Sequence, residues 1–167
     1  MNMQESKINP MTLLRQCPQA EAAIRGSARY PDIKGKVKFY QTDWGVLVAA
    51  EVMGLPWRMN KCDRPVFGFH IHEGECCCGN QEDPFAEVGQ HYNPEEYPHP
   101  YHAGDMPPLF GNGGYALQIF LTDRFCVREI IGRTIIVHSA PDDFTTQPSG
   151  NSGEKIACGE IQSCCGC

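Results

Sequence analysis

The sequence predicts an all-β fold, a Greek-key antiparallel β-barrel or sandwich of about eight strands that carries two long functional loops. Glycine and proline occur 17 and 13 times in 167 residues, which favours many turns over long helices. Short runs of valine, isoleucine, phenylalanine and tyrosine lie between these turns, and such residues are enriched in strands. Two long segments without periodicity each follow a strand that ends in histidine, so we expect a site built on loops.

The predicted strands are short, rich in β-branched or aromatic residues, and bounded by turn residues. Residues 36–41 alternate in the strand manner, and residues 45–52 follow after a tight turn, so these two segments are expected to form a hairpin. The run Gly111-Asn112-Gly113-Gly114 predicts a type I′ turn in which Asn112 and Gly113 supply the positive φ angles. In chain order the predicted strands are residues 22–25, 36–41, 45–52, 67–72, 115–121, 133–138 and 155–161.

The segment between residues 74 and 108 shows no periodicity. A structureless connection of this length inside a compact domain is either functional or evidence against the strand assignment. The presence of several potential metal ligands favours a functional loop. These ligands are His91, His99, His102 and Asp105. A second irregular segment, residues 139–153, precedes the last predicted strand and supplies the other long loop.

The chain of 167 residues has the length of one domain. We divide it into a loosely ordered N-terminal lead (residues 1–20), a single β-domain (residues 21–161) and a Cys-rich C-terminal tail (residues 162–167). The formal net charge of -6 argues against a nucleic-acid partner. Residues 1–10 are polar and no apolar run approaches the ~20 residues of a membrane span, so we expect a cytoplasmic protein without a membrane partner. Export is left open, because a start site can be trimmed.

Ten cysteines are many for a chain of this length. They include the run Cys76-Cys77-Cys78 and the tail Cys164-Cys165-Gly166-Cys167. In a reducing compartment most of them are expected to be free thiols or metal ligands. No Cys-x-x-Cys pair recurs at zinc-finger spacing, which argues against a zinc module held by four cysteines. Two interpretations of the tail stand: thiolates that hold soft Cu(I) and pass it inward, or a frayed terminus with incidental thiols.

The stretch Gly68-Phe69-His70-Ile71-His72-Glu73 places two histidines one residue apart. In an extended strand, side chains at i and i+2 leave the same face about 6.6 Å apart. Both imidazoles can therefore reach one metal ion, which needs metal–nitrogen bonds of roughly 2.0 to 2.1 Å, while Ile71 points into the core. Two histidines on a solvated strand face would give the same pattern, and the other four histidines favour the metal site.

All six histidines lie in this strand, in the loop that follows it, or at the end of the strand over residues 133–138. Five phrases accompany them in order: GFHIHE (68–73), HYNP (91–94), HAGD (102–105), IIGRTIIVHSAPDD (130–143) and GEKIACGEI (153–161). On these residues the chain resembles the copper/zinc superoxide dismutase family, and the resemblance extends over residues 35–161. It implies a Greek-key barrel and an enzyme that acts on superoxide.

The resemblance implies two metal sites that share one histidine. It assigns copper to His70, His72, His91 and His138, and zinc to His91, His99, His102 and Asp105. Imidazole nitrogens suit Cu(II), and three histidines with one aspartate are an ordinary zinc set. In the family, superoxide reduces Cu(II) and leaves as oxygen, and a second superoxide reoxidises Cu(I) and leaves as hydrogen peroxide. His91, the shared imidazolate, is then a catalytic residue that takes up a proton and later delivers it.

The resemblance also assigns a bridging carboxylate and a disulfide. Asp142 matches the family's carboxylate that joins a copper-side and a zinc-side histidine, and a solvated loop carboxylate is the alternative. Cys158 matches one end of the family's disulfide, and Cys77 is the best match for the other, although Cys76 and Cys78 lie within one residue of it. We expect one bridge and two unpaired neighbours.

Two positions depart from the family pattern. Most members carry an arginine just before the last strand, where it attracts and holds the anion, and this chain has Lys155 there. Lysine keeps the positive charge but lacks the planar fork of donors, so we expect Lys155 to act in catalysis with weaker substrate positioning. His99 and His102 are closer in the chain than expected, which makes His99 the zinc ligand most in question.

A second function competes with the enzyme: a non-catalytic copper-binding or copper-buffering protein that kept the fold and the ligands. Lys155, the acidic surroundings and the extra thiols favour it. A third interpretation, an adhesion or interaction sandwich, gives no reason for six histidines at these spacings. The oligomeric state stays open, with a homodimer among the states that the resemblance suggests.

Overall fold

The computed structural model describes residues 9–58 and 65–164. Predictions about residues 1–8 of the lead and residues 165–167 of the tail therefore lie outside the described residues, and the division into lead, domain and tail stays a prediction. In chain order the described elements are α1 (Pro10–Leu13), β1 (Ala20–Gly26), β2 (Lys34–Thr42), β3 (Gly45–Met53), β4 (Val66–Phe67), β5 (Phe69–His72), a 3-10 turn (Ala86–Val88), β6 (Leu109–Phe110), β7 (Tyr115–Thr122), α2 (Val127–Ile130), β8 (Thr134–His138) and β9 (Lys155–Ser163).

Seven of the described strands form one antiparallel sheet in the order β5-β8-β9-β1-β2-β3-β7, and β4 and β6 form a separate antiparallel pair. Three pairs of adjacent strands are distant in the chain: β9 with β1, β3 with β7, and β5 with β8. Such pairing requires long connections between strands, as in a Greek key. Since β4 continues into β5 and β6 leads through a short turn to β7, the two-stranded pair lies between the two edges of the larger sheet. The predicted all-β Greek-key fold is confirmed.

The β2–β3 hairpin is formed as predicted, with Thr42 opposite Gly45 across a two-residue loop. Val37 and Phe39 of β2 are fully buried, whereas Lys36 is exposed and Lys38, which lies between Val37 and Phe39, is only partly buried. This alternation is the period-two pattern of a strand with one face on the core. The strand therefore forms because its apolar residues occupy every second position.

The predicted single strand over residues 67–72 is wrong at Gly68, which separates β4 from β5. The Gly68 N–H donates to the Ala140 carbonyl, and the Gly68 carbonyl accepts from His138 N–H, both at 2.8 Å. A Cβ at Gly68 would lie 2.8 Å from the Ser152 side chain. Glycine allows this close approach, and the chain changes pairing partner there from β6 to β8.

The turn before β7 is displaced by one residue from its prediction. Positive φ angles occur at Gly113 (59°) and Gly114 (85°), as the two central residues of a type I′ turn require. Asn112 instead opens the turn, since its N–H donates to the Tyr115 carbonyl at 2.7 Å. With two adjacent glycines available, the backbone places both positive φ angles on residues that lack a Cβ.

The main core fills the space enclosed by the sheet, and it includes Ile71, which lies between the two histidines of β5 as predicted. A smaller buried cluster lies on the other side of β8 and β9 and contains Phe85, Val88, Ile136 and Cys158. It attaches the loop after β5 to the sheet through apolar contacts. Within the described residues, no helix has the length and apolar character needed to cross a bilayer.

Candidate metal centre

Two stretches of the long loop return to lie beside β5. The Tyr92 N–H donates to the Ile71 carbonyl at 2.8 Å, and the Ile71 N–H donates to the Gly104 carbonyl at 2.9 Å. Two isolated backbone bridges accompany these bonds, His72 with His91 and His70 with Asp105. Backbone hydrogen bonding therefore brings the loop's side chains next to both histidines of β5.

Four buried histidines converge in what we call the four-histidine group: His70, His72, His91 and His138. One nitrogen of each ring lies within 4.8 Å of the others. The Nε2 atoms of His72 and His138 are 3.4 Å apart, and the ring centroids of His70 and His91 are 3.9 Å apart. Strands β5 and β8 are hydrogen-bonded neighbours, which is why histidines 66 residues apart in the chain meet here.

The outward nitrogens of these rings bond to acceptors. His72 Nδ1 lies 3.0 Å from the Gly89 carbonyl, and His138 Nδ1 lies 3.4 Å from the Gly153 carbonyl. A carbonyl only accepts, so each Nδ1 carries the proton and each Nε2 presents a lone pair to the group's interior. The loop backbone thus sets the tautomer that a metal ligand needs.

A second set, the mixed group, consists of His91, His99, His102 and Asp105, again with donor atoms within 4.8 Å of one another. Asp105 lies at its middle. Its Oδ1 is 2.8 Å from His91 Nδ1, and its Oδ2 is 3.1 Å from His99 Nδ1 and 3.3 Å from His102 Nδ1. The structure therefore brings His99 to the same place as the other three residues, despite its short spacing from His102.

His91 belongs to both groups. Its Nδ1 faces Asp105 in the mixed group, and its Nε2 is buried without a hydrogen-bond partner among the described residues. One imidazole can therefore give a nitrogen to each group.

Asp142 connects the two groups from outside. Its Oδ2 is 2.7 Å from His70 Nε2, and its Oδ1 is 2.9 Å from His99 Nε2. Burial raises the pKa of this carboxyl, but hydrogen bonds from His70, the Phe144 N–H and His99 outweigh burial and hold the pKa well below its usual range. Asp142 is therefore a carboxylate that orients one ring of each group.

Three histidines of the four-histidine group, His70, His72 and His138, are neutral at physiological pH. Burial, the largest cause, lowers the pKa of His70 to about 4 and the pKa of His138 to about 3. Burial and the neighbouring histidines lower the pKa of His72 well below its ordinary value. Metal ions bind the neutral imidazole, so this burial prepares the group for a cation.

Two ring nitrogens of the four-histidine group, His70 Nδ1 and His91 Nε2, are buried with no hydrogen-bond partner among the described residues. His99 Nδ1 and His102 Nδ1 lie close to Asp105 Oδ2 but do not have the geometry of a hydrogen bond to it. A buried polar atom without a partner costs roughly 1–3 kcal/mol, and a bound cation would satisfy each of these atoms. Four imidazole nitrogens suit copper, and three imidazoles with one carboxylate suit zinc. The donor sets therefore fit both metals.

Comparison with known proteins agrees with this geometry. The family model described as copper/zinc superoxide dismutase matches residues 33–161. The chain belongs to the copper/zinc superoxide dismutase family. The resemblance carried by the sequence motifs is thus confirmed, and copper and zinc are the metals that the family's description implies.

Individual relatives cover most of the chain. "Superoxide dismutase [Cu-Zn] 2" of Aquifex aeolicus is 32% identical over 147 residues, which are 78% of this chain and 80% of that protein. "Superoxide dismutase [Cu-Zn]" of Photobacterium leiognathi is 30% identical over 142 residues, 77% of this chain and 78% of that protein. "Superoxide dismutase [Cu-Zn] A" of Xenopus laevis is 32% identical over 162 residues, 87% of this chain and 98% of that protein.

Lys155, at the position where most members of the superoxide dismutase family have arginine, is held by the long loop. Its Nζ donates to the Phe85 carbonyl at 2.9 Å and pairs with Asp83 Oδ2 at 2.6 Å. The ammonium is near enough to His138 to contribute to the lowered pKa of that histidine. Asp83, which the sequence analysis did not single out, therefore neutralises part of the charge beside the four-histidine group.

Two further residues, Gln147 and Arg124, hold the loop that carries His99 and His102 in this dismutase-family chain. The Gln147 side chain accepts from His99 N–H at 3.0 Å and donates to the His99 carbonyl at 2.7 Å. Arg124 Nη1 donates to the Pro100 and His102 carbonyls at 2.8 and 3.0 Å. All these contacts are made with the loop backbone, so no motif in the sequence could indicate them.

The structure places a disulfide between Cys77 and Cys158, with Cα atoms 5.7 Å apart, and so joins the loop to β9. This is the pair that the resemblance to the superoxide dismutase family favoured. The expectation of two unpaired neighbours is wrong, because Cys76 and Cys78 are bonded to each other. The chain bends at Cys77, so the Cα atoms of Cys76 and Cys78 are 5.2 Å apart, closer than the ~6.6 Å of an extended i, i+2 pair.

Proposed function

We propose that the chain is a superoxide dismutase, which converts two superoxide anions and two protons into oxygen and hydrogen peroxide. Copper would be held by His70, His72, His91 and His138, and zinc by His91, His99, His102 and Asp105. Bound copper supplies one-electron redox chemistry at the four-histidine group. The observation that carries the proposal is His91, whose two nitrogens face two donor sets suited to these two metals.

His91 holds and moves the proton in this proposal. Its Nε2 is buried and has no hydrogen-bond partner among the described residues, so that atom can hold a proton. His91 Nδ1 lies 2.8 Å from Asp105 Oδ1, and this contact keeps the ring oriented. The proton is then delivered from Nε2 to the reduced substrate within the same buried pocket.

Lys155 attracts the anion and positions it over the four-histidine group. The pairing with Asp83 at 2.6 Å weakens that attraction, because a carboxylate beside the ammonium cancels much of its field at a distance. We therefore propose slower capture of superoxide than an unpaired arginine would give.

The direct test is dismutation by protein reconstituted with copper and zinc, measured beside a His138→Gln variant. Removing one of the four imidazoles is expected to lower the rate at least 100-fold, whereas Ile131→Ala, at an exposed position directly after α2, leaves it unchanged. Equal rates for the wild type and His138→Gln would contradict the proposal and support the non-catalytic copper-binding alternative.

We further propose that the protein is a homodimer formed through an apolar β7 face. This face comprises Met53, Trp57, Tyr115, Leu117, Ile119 and Leu121, each exposing between 37% and 60% of its surface. The face is continuous, since Met53 pairs with Tyr115 and Trp57 lies beside Gly114. Large side chains carry on the order of 150–250 Å², so the face offers about 500 Å² of apolar surface.

A second copy of the chain is the occupant that fits this face. A stable interface buries about 800 Å² per partner with an apolar centre and a polar rim, and about 500 Å² is a suitable centre. Sedimentation is expected to give a dimer for the wild type, a monomer for Leu117→Lys with Ile119→Lys, and a dimer for Ile131→Lys. A monomeric wild type would rule out the dimer.

We also keep the cytoplasm as the proposed location. Cell fractionation is expected to recover the protein with cytoplasmic markers, and recovery outside the cell would contradict this location.

A further inference from the structure

The loop after β5 carries three consecutive cysteines, and the middle one is fixed to the sheet. Cys77 is bonded to the buried Cys158 of β9, and the Cys77 N–H donates to Glu160 Oε1 at 3.1 Å. Cys76 and Cys78 are left on the other side with Cα atoms 5.2 Å apart and their sulfurs bonded to each other. Cys78 is exposed and Cys76 partly so, which gives a reductant access to this bond.

We propose that Cys76 and Cys78, once reduced, form a Cu(I) site distinct from the histidine centre. Reduction takes two electrons: two molecules of a low-molecular-weight thiol are oxidised to their disulfide, and the two cysteine sulfurs gain two protons. Cu(I) then displaces both protons and is held between two thiolates. The bond from Cys77 to Cys158 keeps the pair in place, so the site is preorganised.

The number of donors selects the metal. Among the described residues, no histidine, carboxylate or third thiolate joins these two sulfurs in a metal-binding group. Structural zinc requires four ligands, whereas soft thiolates select Cu(I), which is stable with two. The carboxylate of Glu160, which accepts from Cys77 N–H, and the preceding residue Glu75 favour a cation of any kind and do not alter this selection.

The position of the pair suggests its use. Cys76 lies four residues after His72, so the same loop joins the sulfur pair to the four-histidine group. Copper held there as Cu(I) is near its destination. This use rests on the proposed function, because that function makes copper the metal to be acquired, but Cu(I) binding itself can be measured without any dismutation.

The test uses the full-length protein, reduced by a low-molecular-weight thiol under anaerobic conditions and titrated with Cu(I) against bathocuproine disulfonate. Mass spectrometry of alkylated peptides verifies that Cys76 and Cys78 are reduced and that the bond from Cys77 to Cys158 is intact. The Cys76→Ser, Cys78→Ser double variant is expected to bind one Cu(I) fewer than the wild type. Cys126→Ser, which removes a thiol elsewhere, is expected to bind the wild-type number.

A second readout needs no variant. Cu(I) at one equivalent is expected to protect Cys76 and Cys78 of the wild type from alkylation at least 10-fold. Equal Cu(I) binding by the wild type and the double variant, or no protection of the two thiols, overturns the proposal. The double variant is expected to dismutate superoxide normally once loaded with Cu(II) and zinc. If the double variant binds one Cu(I) fewer but the metal-loaded wild type does not dismutate superoxide, the proposed function is contradicted and the Cu(I) site is not.

Discussion

Asp142 joins the two halves of the candidate centre through two hydrogen bonds, at 2.7 Å to His70 and 2.9 Å to His99. Asp142→Asn keeps the size of the side chain but cannot accept from both rings as a carboxylate does. Copper and zinc affinities are expected to fall 10- to 100-fold, the usual effect of removing such an outer partner. Competition with chelators measures both affinities.

The matched control is the neighbouring Asp143→Asn. Asp143 bonds to Thr145 and Thr146 within its own loop and touches neither metal-binding group. It is expected to keep both affinities within 3-fold of the wild type. Equal losses in the two variants would mean that loop folding, and not the bridge, sets the affinities.

The Lys155–Asp83 pair gives a prediction about substrate capture. Asp83→Asn frees the ammonium from its carboxylate partner at 2.6 Å, so kcat/KM is expected to rise about 2- to 5-fold at low salt. Lys155→Arg is expected to raise it as well, because the guanidinium supplies a planar fork of donors. Turnover should be measured across ionic strengths. Unchanged turnover in Lys155→Arg would contradict the hypothesis that Lys155 positions superoxide less well than arginine.

The sequence predicts some of these residues for physical reasons and misses others. The i, i+2 spacing of His70 and His72 is a property of any strand, so their shared face follows from the sequence alone. Their ring centroids are 6.5 Å apart in the structure. The contacts of Asp83 with Lys155 and of Gln147 with His99 could not be predicted. The two residues of each pair are more than 40 positions apart in the chain, and no local sequence pattern shows that the loops bring them together.

Among the elements, the loop before β9 depends on one glycine. Gly150 has a φ of 68°, and a Cβ there would meet Asp142 Oδ1 and lie 2.8 Å from His99 Nε2. Gly150→Ala is therefore expected to lower zinc affinity at least 10-fold, because it displaces the carboxylate from between the two rings. Isothermal titration with zinc measures the loss.

Gly132→Ala separates backbone strain from this contact. Gly132 has a φ of 83°, but a Cβ there would meet no atom within 4 Å. It is expected to lower stability by about 1–2 kcal/mol, the cost of a left-handed residue with a Cβ, and to leave zinc affinity intact. A similar zinc affinity in both variants would show that Gly150 has no part in the centre.

The strands themselves were predictable where buried and solvated residues alternate, as at Lys36, Val37, Lys38 and Phe39 of β2. The prediction fails where pairing changes partner, at Gly68, since neither periodicity nor composition records which strand lies alongside. It also misses α2, a single turn whose Glu129 side chain accepts from the Cys126 N–H at 2.7 Å. Such a short element is too brief to show a helical period.

For the whole molecule, the bond from Cys77 to Cys158 closes a loop of 81 residues. Closing a loop of that size restricts the unfolded chain and is worth about 4 kcal/mol. Cys77→Ser with Cys158→Ala is therefore expected to lower Tm by roughly 10 °C, using about 2–4 °C per kcal/mol for a chain of this size. Calorimetry of the metal-free protein measures it.

The Cys76–Cys78 bond supplies the control, because its sequence separation is only 2. Closing so short a loop restricts the unfolded chain little, and Cys76→Ser with Cys78→Ser is expected to keep Tm within about 2 °C of the wild type. Equal losses in the two double variants would show that loop closure does not stabilise the fold.

The central claim is that two metal ions share His91, and anomalous diffraction at the copper and zinc edges from crystals of the reconstituted protein tests it most directly. We predict a copper peak about 2.0 to 2.1 Å from His91 Nε2 and a zinc peak at a similar distance from His91 Nδ1. A single peak, or two peaks of which either lies beyond bonding distance of His91, would contradict the account.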